Sequence, residues 1–155
     1  MVSAVHTAVG QLPIVAGKPE PAIFLTATKH FSAKQPIFIG DRIDTDIRGA
    51  NRAGIDSVLV MTGISTRKEV LGVKAEDRPK FIIGTMAELL TEYDQPKKTK
   101  RGFACKGAEV ELLGNKVVVT HGDPKSLAAL RAACAVIYAS ATPIYGLDLE
   151  PALYE

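Results

Sequence analysis

Four side chains in the first third of the chain have the types and spacing for metal and phosphate chemistry: Lys18, Asp41, Asp44 and Asp46. The three aspartates lie in the stretch IFIGDRIDTDIRGANRAG, directly after an apolar run that stops at Gly40. Carboxylates gathered at the mouth of a buried strand are costly unless a cation neutralises them. A hard cation with oxygen ligands meets that need. Mg²⁺ takes one or two protein carboxylates and completes its shell with phosphate oxygens and water. Lys18 stands between Gly17 and Pro19, at the entry of a helix, where a lysine reaches a phosphate as a point charge. Each residue also has a plainer role. Asp44 or Thr45 caps a helix, Asp46 is a first-turn acidic residue facing the helix dipole, and Lys18 is solvated. The combination favours the site: a lysine at a helix entry, one helix, then a strand ending in Gly40-Asp41.

The elements that must position these residues are legible as an alternation of helix and strand. Residues 2–10 read as a short helix and LPIVAG, 12–17, as a brief strand. The segment KPEP opens a helix whose first turn holds Pro19 and Pro21, with Glu20 at the positive end of its dipole; Ile23, Phe24, Ala27 and Phe31 form its apolar face. PIFIG, 36–40, is apolar enough for a parallel strand buried on both faces. A helix from Asp44 or Thr45 to about Ala53 follows, stopped by Gly54. SVLVMT, 57–62, and KFIIG, 80–84, read as two more strands, and TMAELLTEY as a helix capped by Thr85. This order predicts an α/β fold with a parallel sheet and right-handed crossovers. Beyond the basic connector QPKKTKRG, 95–102, the pattern changes. AEVELL and KVVVTH flank Gly114-Asn115 as a hairpin. Asp123 and Pro124 then open the helix PKSLAALRAACAVIYAS. The C-terminal part, 103–155, is thus expected to be a small β-β-α appendage.

Composition excludes several classes. A formal net charge of +2 over 155 residues is too small to imply a nucleic acid as partner. The basic connector has little aromatic interleaving and reads as solvated chain. There is no apolar run near the ~18 residues of a membrane span, and MVSAVHTAVGQ lacks the pattern of a signal peptide. The two cysteines, Cys105 and Cys134, have no metal spacing and fit a reducing, cytoplasmic setting; Cys134 reads as a small buried hydrophobe. His6, His30 and His121 share no ligand spacing. No strand is followed by G-x-G-x-x-G, and no serine or cysteine nucleophile elbow is present.

The motifs GKPEP and FIGDRIDTDIRGANRAG, followed by LVMTGIST, resemble the haloacid dehalogenase (HAD) superfamily, in particular its large-capped phosphatases of the p-nitrophenylphosphatase and glycerol-phosphate phosphatase type. The resemblance covers residues 1 to about 93. It implies a Rossmann-like core, Mg²⁺, and hydrolysis of a small phosphate monoester, a sugar or glycerol phosphate, through an aspartyl-phosphate. By match, Lys18 neutralises the nucleophile and phosphate, Asp41 is a direct Mg²⁺ ligand, and Asp46 supports metal-bound water. Arg42 and Asp44 are typical of this branch without an assigned role. The same match makes residues 1–16 the end of a cap domain, with Met1 an internal methionine of the cap, 17–94 the C-terminal half of the core, 95–102 a linker and 103–155 an extension. The extension is similar to that of some actinobacterial members.

The family's N-terminal Asp-x-Asp motif and its Ser/Thr motif are absent. Residues 1–19 carry no acidic side chain. The resemblance therefore implies a portion of a larger phosphatase, whose isolated chain is not competent without the attacking aspartate. It also predicts that the PIFIG strand has an open edge, paired either with the missing half or with a second copy. The alternative is a non-catalytic, truncated α/β module that binds a partner or a phosphorylated ligand.

Overall fold

The computed structural model describes residues 2–155. Met1, with its expected place in a cap, lies outside the described residues. Helix α1, Val2–Val9, comes first and α2 spans Ala22–His30. Strands β1, Ile37–Gly40, β2, Asp56–Val60, and β3, Phe81–Ile83, form a parallel sheet in the order β1-β2-β3. Parallel neighbours need a crossover, which between β1 and β2 is a π-turn, Ile43–Ile47, running into α3, Arg48–Arg52. Between β2 and β3 lies α4, Arg67–Leu71.

The register, Phe38 with Ser57, Ile39 with Val58 and Leu59 with Ile82, sorts the side chains by face. Ile39, Val58, Val60, Phe81 and Ile83 pack on one face with Tyr93. On the other, Phe38 meets Phe24 of α2 edge-to-face, centroids 4.6 Å apart, beside Ala50 and Ile55. The α/β class and the three strands stand as expected. β1 is only half-buried, however, and Ile37 at its start is 53% exposed.

Several local expectations are corrected. LPIVAG is not a strand: residues 11–16 are irregular, and Ile14 is 96% exposed. β-propensity makes a strand only where a ladder partner exists, and among the described residues this segment has none. Pro19 and Pro21 lie before α2, with Pro21 at its N-cap, and Glu20 reaches Arg52 at 3.1 Å. Asp44 caps nothing. The helix start has no side-chain cap, and Asp44 pairs with Arg42. TMAELLTEY forms only a 3₁₀ turn, Met86–Leu90, whose Glu88 carboxylate accepts from the N–H groups of Gly84 and Thr85.

The C-terminal part is larger than β-β-α. Strands β4, Lys97–Lys98, β5, Gly102–Cys105, β6, Ala108–Leu113, β7, Lys116–His121, and β8, Asp148–Leu149, form a five-stranded sheet in chain order. The pairs are antiparallel except β7 with β8. The β6–β7 hairpin turns at Gly114-Asn115 as predicted, with Gly114 at φ +66°, where glycine carries no Cβ penalty. Helix α5, Leu127–Ala139, is capped by Ser126, whose hydroxyl accepts from Ala129 N–H; Asp123 instead closes the preceding turn onto Lys125 N–H.

Helix α5 joins the two sheets. Leu130, Ala133 and Ile137 share one buried cluster with Ile47 of the π-turn, Leu59 and Ile82 of the first sheet and Val110 and Val117 of the second. Polar anchors cross the same seam. Tyr138 donates its hydroxyl to Val70 O at 2.8 Å, and the Arg67 guanidinium donates to carbonyls of Leu153, Pro124, Lys125 and Ser126. No helix is long and apolar enough to cross a membrane among the described residues.

Candidate metal and phosphate site

The carboxyl end of β1 organises the site. Asp41 follows its last residue and is partly exposed. Its Oδ2 accepts from Ile64 N–H at 3.1 Å, and its carbonyl accepts from Ser65 N–H at 3.0 Å. The loop after β2 is therefore stitched onto the loop after β1. The buried Ser65 hydroxyl returns the contact by accepting from Ile43 N–H at 3.0 Å. Outer crevices at the carboxyl ends of parallel strands are where such sheets bind ligands.

Asp46, in the π-turn, is 4% exposed. Its Oδ1 accepts from Lys18 Nζ at 2.6 Å and its Oδ2 from Arg42 N–H at 3.2 Å. At this buried carboxylate a cation and a backbone donor stand where water would otherwise bond. The Lys18 side chain is 45% exposed, so its remaining donors face solvent. Lys18 and Asp46 are thus in direct contact. Asp41 follows Gly40, against which the Asp46 side chain packs, and has one carboxylate oxygen that accepts no protein hydrogen bond among the described residues.

Two glycines permit this packing. A Cβ on Gly40 would collide with the Asp46 side chain, and a Cβ on Gly63 would collide with the Asp41 carboxylate. Gly63 and Ser65 belong to the TGIST part of the LVMTGIST motif, which carried no signal of which carboxylate it would hold. Farther out, Arg42 grips Asp44 with two bonds, at 3.1 and 2.8 Å, and that bonding holds the Asp44 carboxyl below its usual range. Arg48 grips the buried Asp77 at 2.9 and 2.6 Å with the same effect. Asp77 carried no sequence signal, since its partner lies in another crossover.

The donor set is chemically suited to Mg²⁺: hard carboxylate oxygens, one of them free, and no soft sulfur or imidazole. Among the described residues no three carboxylate, imidazole or thiol groups converge on one point. Any ion held by Asp41 and Asp46 must therefore complete its shell with water, phosphate oxygens or groups from outside this chain.

Residues 15–89 match the HAD-hydrolase-like family. The chain belongs to the HAD-like hydrolases. It is 32% identical to the D-glycerol 3-phosphate phosphatase of Mycobacterium tuberculosis over 146 residues, 94% of this chain and 40% of that protein. Human chronophin is 34% identical over 95 residues, 57% of this chain and 32% of its own length. The crystal structure of the M. tuberculosis glycerol phosphate phosphatase in complex with magnesium superposes with a TM-score of 0.75 at 29% identity, over 97% of this chain and 44% of that one. The chain therefore spans about 40% of the length of this M. tuberculosis relative. Because that match runs over 146 residues, it takes in the second sheet and α5, which lie beyond the family-matched core.

Proposed function

We propose that this chain supplies the lysine and metal-ligand half of a Mg²⁺-dependent phosphatase that hydrolyses a small phosphate monoester, such as a glycerol or sugar phosphate. The observation that carries the reading is the Lys18–Asp46 pair, 2.6 Å long, beside Asp41 at the carboxyl end of β1. Lys18 places a positive charge where a phosphoryl group carries its negative one. Asp46 orients that ammonium and keeps it from swinging into solvent. Asp41 presents a carboxylate oxygen to a hard cation, held in position by Ile64 N–H. Mg²⁺, when bound, would neutralise charge on the phosphoryl oxygens. Such positioning and neutralisation make up most of the catalysis in phosphoryl transfer.

The resemblance assigns the attacking aspartate to a motif that this chain does not contain, so the isolated chain is not expected to turn over. The substrate class rests on the relatives, among them the M. tuberculosis D-glycerol 3-phosphate phosphatase. The test is a chimera. This chain replaces the matched 146-residue region of that protein, and hydrolysis of glycerol 3-phosphate and p-nitrophenyl phosphate is followed with and without Mg²⁺. Mg²⁺-dependent turnover lost in Lys18→Ala and Asp41→Ala supports the reading. A folded chimera without turnover overturns it. The two-carboxylate donor set favours one second reading, a module that binds a phosphorylated ligand without cleaving it. A folded, inactive chimera that still binds inorganic phosphate through Lys18 would establish that.

A further inference from the structure

Four consecutive residues, Ile64 to Arg67, connect Asp41 to the second sheet and α5. At one end, the Ile64 N–H donates to Asp41 Oδ2 and the Ser65 N–H to the Asp41 carbonyl. Thr66 then caps α4 in a reciprocal box: the Glu69 carboxylate accepts from the Thr66 N–H at 2.6 Å, and the Thr66 hydroxyl accepts from the Glu69 N–H at 3.3 Å. Arg67, the first residue of α4, reaches the other way. Its Nε donates to Leu153 O at 2.7 Å, its Nη1 to Lys125 O at 3.0 Å, and its Nη2 to Pro124 O at 3.0 Å and Ser126 O at 3.3 Å. These acceptors sit on braced chain. Ser126 caps α5, the Asp123 carboxylate accepts from the Lys125 N–H, and Leu153 is fully buried. All four lie beyond residues 15–89, the part that matches the family. A guanidinium presents its donors in one rigid plane, so acceptors on two separate segments fix its orientation as well as its place. The far end of α4 is held independently, by the buried Val70 and Leu71 and by the Tyr138 hydroxyl on Val70 O. The Arg67 grip thus acts on the end of α4 that adjoins the Asp41 loop.

We propose that Arg67 is a positioning residue for the metal site: it ties the Gly63–Ser65 loop to the second sheet and α5, and through that loop fixes the Asp41 carboxylate. The inference rests on the metal role proposed above for Asp41, and it gives the C-terminal part of the chain a share in that site. Thr62, Gly63 and Ile64 are exposed, and a short exposed segment opens locally unless both of its ends are held. β2 holds the beginning of this one and Arg67 the end. Gly63 also packs against the Asp41 carboxylate without room for a Cβ, so a shift of the loop displaces two contacts of that carboxylate together, the Gly63 packing and the Ile64 N–H. Mg²⁺ demands near-ideal octahedral geometry, so a small displacement of a ligand weakens its hold.

The test compares Arg67→Ala, Arg67→Lys and Tyr138→Phe by amide exchange on this chain, with global stability measured on each by urea unfolding. Tyr138→Phe removes the bond to Val70 O and leaves the Asp41 loop alone, so it stands for a general loosening of the seam. In Arg67→Ala, exchange at Ile64 and Ser65 is expected to quicken about tenfold beyond any change in β5–β7. Arg67→Lys keeps the charge without the planar fork and gives a smaller quickening of the same two amides, which also serves if Arg67→Ala does not fold. Tyr138→Phe lowers global stability and leaves these two amides in step with the rest. In the chimera, Arg67→Ala raises the Mg²⁺ concentration for half-maximal turnover more than Tyr138→Phe does. Unchanged exchange at Ile64 and Ser65 in Arg67→Ala, or the same selective quickening in Tyr138→Phe, overturns the inference. Full recovery in Arg67→Lys also overturns it, because charge alone would then suffice. The exchange needs no turnover. A folded, inactive chimera therefore sinks the phosphatase reading and spares the coupling of Arg67 to Asp41, and an active chimera with unaltered exchange does the reverse.

Discussion

Lys18 Nζ and Asp46 Oδ1 meet at 2.6 Å although 28 positions separate them, with α2 and β1 between. The pair joins the helix entry to the π-turn after β1, so two motifs distant in sequence act as one group. Replacing Lys18 by Met leaves Asp46 buried with a single backbone donor. Because Lys18 is half exposed, water can partly replace it, and the expected loss of stability is about 1 kcal/mol by urea unfolding. Turnover of the chimera should fall at least ~100-fold, the scale of a lost charge-stabilising donor. A large stability loss with unchanged turnover would make Lys18 a structural residue.

Gly63→Ala should injure the site more than the fold. Its Cβ would overlap the Asp41 carboxylate, and the exposed loop can yield only by moving that carboxylate away from Ile64 N–H. Stability within ~1 kcal/mol of wild type and a clear rise in the Mg²⁺ concentration needed by the chimera are expected. Gly40→Ala places its Cβ against the buried Asp46 and should also destabilise by about 1–3 kcal/mol. Equal Mg²⁺ dependence in wild type and Gly63→Ala would contradict the placement of Asp41.

Arg131→Met should be among the most destabilising single changes outside the site. It uncovers the Ile82 carbonyl, strands the Glu88 carboxylate and removes the stack on Tyr93. Losing the buried bond to the Ile82 carbonyl together with the part-buried pair to Glu88 is expected to cost about 2–3 kcal/mol. Thermal unfolding followed by circular dichroism measures it, and a loss under ~1 kcal/mol would mean that the β3 edge is held by something else.

Acid should loosen the fold through Asp77 and Glu88. The Arg48 hydrogen bonds hold the Asp77 carboxyl below its ordinary value. Burial pushes the Glu88 carboxyl up, but the Gly84 N–H and Arg131 outweigh it and leave it lowered. A carboxyl with a lowered folded-state pKa binds its proton more weakly folded than unfolded. Its stabilisation is therefore complete above the unfolded value near pH 4 and is lost as the pH falls through the folded value. Unfolding midpoints measured from pH 7 to pH 3 should drop below about pH 4, and Asp77→Asn should flatten that drop while lowering stability by roughly 2 kcal/mol at pH 7. An unchanged acid slope in Asp77→Asn would place the sensitivity elsewhere.

Cys134 should resist alkylation in the native state. Burial raises its thiol pKa to about 12, so almost no thiolate exists near neutrality. Iodoacetamide labelling at pH 8 should reach it only after unfolding. Rapid native labelling would mean that α5 opens locally.

By itself the sequence determined the alternation of helix and strand, the parallel class and the β6–β7 hairpin. It also marked Lys18, Asp41 and Asp46 as candidates, because motif residues and turn glycines act over a few neighbours. The two-residue strands β4 and β8 were illegible, since a pair of residues has no period. LPIVAG misled because its β-propensity met no ladder partner, and Asp44 and Asp123 looked like caps because capping competes with side-chain and turn bonds that sequence does not show. Tertiary structure alone decided which aspartate Lys18 meets, which glycines clear space for Asp41 and Asp46, and how α5 welds the two sheets into one core. The same structure decided that Tyr93 and Arg131 occupy the N–H and carbonyl of Ile82 in β3. These are contacts between residues many positions apart, set by packing rather than by local pattern.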